Sequence, residues 1–455
     1  MRKPLVEDYS LLVRILFPEA TSWLILAEED APNADLQAHW CQGVAELVEL
    51  LEHCSDCVLI NLTGQVVVSD NILAEISFSR QAKGTQLAYF CNPDGSLRWL
   101  FPAGNTSAYF LHLYSGSGWR GRALRQFLKW GFRLKLGRFL RHGMLCVRQT
   151  DGQAWHPVFQ SIPGHQYAVF TGTKGENRKA VIAAGAKHRP DVFYKLPLTE
   201  QAEGLVMNEA KQLAKLAHSP FRSWKFPKAV IENGVLRVSN VQPTKYSTAT
   251  QLTALHFQAI TELSTEQYSR PLHTAKSFQQ IQYALEELES LPDHPQMDKL
   301  VLKDLREQLR LLNKQINPFQ SMVFSLAHGD FTPWNMFVGK NSLSVFDWEL
   351  ARQEPLAFDL FHFVLQSNCL IHRAEAAVVK EEVDRVLTHS FWQAHLPCDP
   401  EQYWRYYLLR HLSYYLPRYL KQQDLHQQVH WQLELWRDLL LQLQEVQKIS
   451  NPSNS

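Results

Sequence analysis

Long hydrophobic runs are missing from this sequence: no stretch approaches the roughly 18 apolar residues that a membrane-spanning helix needs. The opening segment, MRKPLVEDYSLLVRILFPEA, is broken by Glu7, Asp8 and Arg14, so it lacks the uninterrupted apolar core of a secretion signal. Both absences make a cytoplasmic location the expectation. Excess charge of either sign is missing too. With 46 basic and 45 acidic residues the formal net charge is +1, and nothing in that balance calls for a nucleic-acid partner. Cysteine is sparse: the seven, an odd number scattered from Cys41 to Cys398, do not make a disulfide framework. Only Cys54-Ser55-Asp56-Cys57, beside His53, has metal or redox spacing, and no second CxxC or HxxxH follows at finger-like distance. Free thiols are expected, not zinc. Internal repeats are also absent. What remains is a composition ordinary for a globular protein, and 455 residues, enough for two to three domains at about 100–200 residues each.

One absence is local. From Ser96 to Thr150 there is no acidic residue, while Arg and Lys accumulate. Read as a helix, Arg122, Arg125, Lys129 and Arg133 share one face. Leu124, Phe127, Leu128 and Leu134 lie opposite, with Trp130 at the edge. Such a helix either packs its apolar face on the domain core, the commoner arrangement, or lies on an anionic membrane surface, and its positive field could also attract an anionic acceptor. Upstream, the residues carry no motif with evident chemistry. Helical spacing covers 36–51, strands are expected around Thr63-Gly64, and Gln86–Phe90 and Leu97–Phe101 flank the turn sequence Asn92-Pro93-Asp94-Gly95.

The chemistry gathers between Ser325 and Leu360. His328-Gly329-Asp330 is followed by Asn335 and, past two short apolar runs separated by Gly339-Lys340-Asn341-Ser342, by Asp347-Trp348-Glu349. The apolar runs read as a β-hairpin, which should bring Asn335 and Asp347 side by side at its open end. An amide oxygen and a carboxylate, with Asp330 a short loop away, make an oxygen-rich site of low ligand count. Magnesium accepts such a site because it keeps waters and takes further oxygens from substrate phosphates.

The pattern H-G-D-x-x-x-x-N, then a hydrophobic strand ending in D-W-E, resembles the aminoglycoside phosphotransferase and choline kinase group. These are small-molecule kinases on the protein-kinase scaffold. The resemblance covers roughly residues 166–366. It implies an α+β, bilobal protein-kinase-like fold, with a small β-rich lobe and a larger helical lobe, preceded here by a separate mixed α/β amino-terminal module. It also implies that Asp330 is the catalytic aspartate, that Asn335 and Asp347 are metal ligands, and that Asp359 is structural. His328 is expected to support the loop by hydrogen bonding, and Glu349 to assist the metal indirectly or form a plain salt bridge.

The small-lobe residues fit that frame. Tyr167–Thr173, Arg178–Gly185 and Asp191–Leu198 read as strands, and Gly172-Thr173-Lys174-Gly175-Glu176-Asn177 as a glycine-containing turn whose backbone can approach phosphates. Lys195 sits inside the apolar run Val192–Pro197, costly to bury unless it meets an anion. Thr199 can cap a following helix in which Glu209 falls in the apolar stripe with Leu205, Leu213 and Leu216, with Glu203 as the fallback partner. Lysine and glutamate so placed match the kinase pairing that holds the nucleotide phosphates. Gly172, Thr173, Gly175, Lys195 and Glu209 are therefore the expected nucleotide contacts, and Asp330, Asn335 and Lys195 the catalytic group. Asn233-Gly234 marks one more hairpin.

Boundaries are expected at 150, 245 and 446: an amino-terminal module, a small lobe, a helical large lobe, and a frayed tail over 447–455. Helices are expected over 248–263, 277–291, 298–312, 376–388, 403–420 and 428–444. The stripe Tyr406, Tyr407, Tyr414, Tyr415 and Tyr419 is read as core. The expected activity is an ATP- and magnesium-dependent transfer of the γ-phosphate to a hydroxyl of a small-molecule or glycan acceptor. The alternative is a catalytically weak nucleotide-binding scaffold. The absence of D-F-G and A-P-E signatures speaks against a protein kinase.

Overall fold

A computed structural model of the chain describes residues 6–20, 23–26, 38–41, 58–61, 85–105, 108–113, 119–149, 155–162, 166–186, 189–395, 399–422 and 424–450. The chain divides into two compact units, residues 1–210 with 228–240 and residues 211–227 with 241–455.

The first unit contains helix α1 (Val6–Leu16), strands β1 (Trp23–Leu26), β2 (Ala38–Cys41), β3 (Val58–Asn61), β4 (Thr85–Cys91) and β5 (Leu97–Pro102), helix α2 (Trp119–Arg133), and strands β6 (Gly143–Gln149), β7 (Tyr167–Phe170), β8 (Lys179–Ala184) and β9 (Val192–Pro197). Helix α3 (Glu200–Leu216) crosses into the second unit, which holds β10 (Trp224–Lys225), whereas β11 (Ala229–Glu232) and β12 (Val235–Ser239) return to the first. Among the described residues the strands of the first unit form one sheet, in the order β11-β12-β9-β8-β7-β5-β4-β6-β3-β1-β2.

The division at 150 expected from the sequence is not a break in this sheet. β5 pairs with β7 through Trp99 opposite Phe170 and Leu100 opposite Val169. Strand alternation then builds a core on each face. Leu12, Ile25, Ile60, Leu100, Val169, Ile182 and Val235 share one buried cluster. Ala88, Phe90, Phe101, Ala168 and Ala183, on the opposite face of the strands, share the other with Phe110. Polar ties run across the same line: Arg14 Nη2 donates to Leu198 O at 2.8 Å, and the hydroxyl of Thr171 donates to Leu97 O at 2.6 Å.

Two turns form as their residues dictate. Asn233 and Gly234 both adopt positive φ and close β11 onto β12, with Glu232 opposite Val235. Asp94 Oδ1 accepts from Ser96 N and Oγ, and Gly95 has φ +91. The helix expected over 36–51 is corrected at Ala38–Cys41, a strand in parallel register with β1, where pairing to Trp23–Leu26 overrides helical spacing. The rest of that stretch, the expected strand at 65–68, and Cys54 and Cys57 lie outside the described residues. Cys369 is a buried free thiol.

The second unit contains α4 (Ala254–Leu263), β13 (Tyr268–Pro271), α5 (Lys276–Ser290), α6 (Lys299–Gln315), β14 (Ser321–Ala327), β15 (Met336–Val338), β16 (Leu343–Val345), β17 (Arg352–Pro355), α7 (Phe358–Gln366), α8 (Ala376–Leu387), α9 (Pro400–Leu420) and α10 (Gln427–Ser450). α4 starts later than expected because Thr253 caps it, its backbone N–H meeting His256 Nδ1 at 3.1 Å. Asp298 caps α6 through Leu300 N and Val301 N at 2.8 and 3.0 Å. Two three-stranded sheets, β10-β16-β15 and β13-β14-β17, frame the segment between Ala327 and Arg352. No helix among the described residues is long and apolar enough to cross a membrane.

Candidate active site

In the first unit, β9 sets Lys195 opposite Leu236 of β12 and Val181 of β8. The side chain is buried and its ammonium donates to Glu209 Oε2 at 2.5 Å. Glu209 reaches it because α3 buries one stripe, Ala202, Val206, Glu209, Leu213 and Leu216. Thr199 fixes where the helix begins, its hydroxyl oxygen accepting from Ala202 N at 3.1 Å. Glu203 is exposed. The pairing read from the sequence is the one present, with both groups almost out of water, where an unpaired charge would be costly. Gly172, Thr173 and Gly175 lie in the turn between β7 and β8. Gly172 needs its φ of +80, and a Cβ there would overlap Lys179 O.

In the second unit the loop after β14 is held from below. The carboxylate of Asp359, buried at the start of α7, accepts from His328 N at 2.6 Å and Gly329 N at 3.0 Å. Burial pushes its pKa up, although the two N–H groups favour the charged form. His328 Nδ1 accepts from Asp330 N at 3.2 Å and its Nε2 meets Phe346 O at 3.0 Å. A carbonyl can only accept, so Nε2 carries the proton and the ring is neutral with both nitrogens committed. His328 is thus a brace, not a base. Gly329 takes φ +85, and a Cβ there would overlap Leu350 O.

Asp330 emerges from this brace with its side chain about 30% exposed. Asn335 Nδ2 donates to its Oδ2 at 2.8 Å and to its backbone O at 3.0 Å. The amide nitrogen being committed to Asp330, the oxygen of Asn335 is the atom left for a cation. The hairpin register differs by one residue from the sequence expectation: Met336 pairs with Val345, and Asn335 O accepts from Phe346 N at 3.1 Å, so Asn335 faces Phe346 and Asp347 comes next. Asp347 then turns the chain with φ +69. Its carboxylate and that of Glu349 come within 4.8 Å of one another. Asn335, Asp347 and Glu349 offer only hard oxygen donors, a set that suits magnesium.

Sequence reasoning missed the other side of Asp330. His362 Nε2 lies 3.1 Å from Asp330 Oδ1 and its Nδ1 lies 3.1 Å from Tyr407 Oη. An ionised carboxylate only accepts, so a neutral ring carries its hydrogen on Nε2 and takes the tyrosine hydroxyl on Nδ1. Burial pushes the Tyr407 hydroxyl far up, which keeps that donor protonated. The one available signal was a lone histidine three residues after Asp359 within Phe361-His362-Phe363, a pattern that reads as core. Beside it lies a pocket lined by Gly329, Arg352, His362, Arg410, Tyr414 and Tyr415 among others. Two of its lining residues, Arg352 and Arg410, clamp a buried carboxylate. Glu354, fully buried, accepts from Arg352 Nε at 2.5 Å, from Arg410 Nε at 3.2 Å and from the Tyr406 hydroxyl at 3.2 Å. The tyrosine stripe therefore divides: Tyr406 and Tyr407 are core, and Tyr414 and Tyr415 line the pocket.

A buried lysine–glutamate pair on a strand and helix, and an aspartate bonded to an asparagine five residues on in a braced H-G-D loop, define a phosphotransferase that acts on hydroxyl acceptors. Residues 176–385 match the model of the phosphotransferase enzyme family, a span that holds Lys195, Glu209, Asp330, Asn335, Asp347 and His362. The resemblance to the aminoglycoside phosphotransferase and choline kinase group is borne out for that segment. Among solved structures, the ADP-bound aminoglycoside phosphotransferase APH(2'')-Ib is 13% identical over 62% of this chain and 95% of its own, with TM-score 0.40. The GDP complex of aminoglycoside 2'-phosphotransferase-IIIa is 18% identical over 63% and 96%, TM-score 0.43. Choline kinase LicA from Streptococcus pneumoniae is 13% identical over 60% and 93%, TM-score 0.38. Likeness at this level describes those proteins and carries no conclusion about this one. No curated protein matches the chain.

Proposed function

We propose that the protein uses ATP and magnesium to phosphorylate a hydroxyl of a small-molecule or glycan acceptor. The carboxylate of Asp330 takes the proton of that hydroxyl. The acceptor oxygen forms its bond to the γ-phosphorus as the bond to the β–γ bridging oxygen breaks, and ADP leaves. Lys195, steadied by Glu209, offsets charge on the phosphates, and the backbone around Gly172, Thr173 and Gly175 approaches them. Magnesium when bound neutralises phosphate charge, and the amide oxygen of Asn335 with the carboxylate of Asp347 would hold it. His362 orients Asp330 from the side opposite Asn335. The compartment this requires is one that supplies ATP, the cytoplasm.

The observation that carries this reading is the Asp330 carboxylate itself: one oxygen held by Asn335, the other by His362, and the group still open to solvent. Arg352, Arg410, Tyr414 and Tyr415 beside it, with Glu354 already engaged by both arginines, support an acceptor that is hydroxyl-rich and uncharged or anionic. Purified protein with ATP and magnesium, assayed for ADP release across neutral sugars, anionic sugars and polyamine antibiotics, tests both points. Asp330→Ala should lower turnover by about 10²–10⁴-fold with an unchanged melting curve, the usual cost of losing a general base. Full activity in that variant overturns the assignment. ATP binding without turnover on any acceptor would favour the nucleotide-binding scaffold instead.

A further inference from the structure

Helix α2 presents a surface that the phosphotransferase reading leaves unused. Its anchor is narrow. Phe132 is buried, packing on Phe101 and Phe110 with ring centroids 5.8 and 5.4 Å away, and Leu128 packs beside it. The side expected to be the core face, Leu124, Phe127 and Leu134, is not: these residues are 49, 61 and 64% exposed, and Trp130 is 57% exposed. Leu136 and Phe139, just beyond the helix, are exposed as well. The packing weighed for this helix thus holds only for Leu128, which with Phe132 takes the core contact and leaves Leu124, Phe127 and Leu134 outside.

Six large apolar side chains standing in water within sixteen residues are costly to leave uncovered, and a patch of this kind marks a surface that meets something else. The charge around it identifies the partner. Residues 96–150 contain ten Arg and Lys and no Asp or Glu. Lys129, Arg133 and Lys135 are exposed, and the Arg133 guanidinium lies 5.4 Å over the Trp130 ring, at the rim of the apolar patch. A helix with protruding Phe, Trp and Leu and an uncompensated basic flank has the composition of one that lies in a lipid interface. The aromatic and aliphatic groups enter the headgroup boundary while lysine and arginine meet anionic headgroups, each attraction fading within a Debye length of about 8–10 Å. We propose that this surface docks the protein on an anionic phospholipid bilayer, with Phe127, Trp130, Leu134 and Phe139 inserted.

The full-length protein is mixed with phosphatidylcholine vesicles with and without phosphatidylglycerol, at low and high salt, and sedimented. Binding is expected to the anionic vesicles and to weaken as salt rises. Phe127→Ser with Trp130→Ser should weaken it by at least about tenfold, since both side chains lose the apolar phase they enter. Lys129→Glu with Arg133→Glu should do the same through charge. Both pairs are exposed, so melting and ATP turnover serve as controls and should not change. No sedimentation with anionic vesicles at low salt overturns the proposal. So does equal binding by the Phe127/Trp130 variant, tighter binding to an RNA oligomer than to vesicles, or a solution dimer that the same substitutions dissociate.

Discussion

Replacing Glu354 by glutamine keeps its shape and removes its charge, and the structure says what that should cost. Glu354 is fully buried and two guanidinium groups point their Nε at it, while Arg410 is also tied to Gln280 through Nη2 at 3.0 Å. Glutamine offers one neutral oxygen in place of a carboxylate. Removing one partner of a buried ionic group costs about 3–5 kcal/mol, because the remaining charge stays in the interior. The Arg352 side chain is 29% exposed and can rehydrate, so the lower end, about 3 kcal/mol, is the better figure. For a cooperative unit of this size that corresponds to a fall of roughly 6–12 °C in the transition of the second unit. Calorimetry measures it directly. Glu354→Met combined with Arg410→Met should recover most of the loss, since no isolated buried charge is left. Acidification gives a second readout. Burial raises the pKa of Glu354, but the charges and hydrogen bonds of Arg352 and Arg410 outweigh burial and hold it below its ordinary value. The stabilisation is thus complete above the unfolded pKa of about 4.3 and lost as pH falls through the lower folded value. The wild type should lose stability there and Glu354→Gln should not show that component. A Glu354→Gln transition within about 2 °C of wild type would refute the reasoning.

Three further outcomes follow from the site. His362→Phe removes a donor to the ionised Asp330 and should lower kcat about tenfold at unchanged KM for ATP, with His362→Gln recovering part of it; equal kcat in all three proteins would show that the contact does nothing. Gly329→Ala forces a Cβ into Leu350 O at φ +85, and should cost about 1–3 kcal/mol or more in melting experiments and take activity with it through the displaced Asp330 loop; an alanine variant indistinguishable from wild type contradicts this. Lys195→Met should cut turnover by about 10²–10³-fold while far-ultraviolet circular dichroism stays the same, as removal of one charge-stabilising donor does elsewhere.

The parts of this site that could be read from residue spacing lie within one loop, one helix or one turn. Asp330 and Asn335 are one loop, Thr199 and Glu209 one helix, Asn233 and Gly234 one turn, and each declares itself by spacing. His362 could not be read this way: it sits among phenylalanines and its partners, Asp330 and Tyr407, are 32 and 45 residues away. The Glu354 clamp draws on Arg410, 56 residues on, so neither end is informative alone. The hairpin register missed by one residue because Asp347 leaves the strand at positive φ, which its side chain tolerates and periodicity does not reveal. The apolar side of α2 misled for a different reason. Amphipathic spacing says that a face is apolar, not which part of it the domain covers.

The joint between β5 and β7 sets a limit on how this protein can be taken apart. A chain beginning at 151 would keep every residue named in catalysis, yet β7 would lose its neighbour and show a bare row of N–H and C=O groups, the template on which strands of other molecules add. The buried cluster that holds Val169 and Ile182 would lose Leu12, Ile25, Ile60 and Leu100. Such a fragment should come out of expression as inclusion bodies, and the enzyme is one that must be produced, purified and assayed entire.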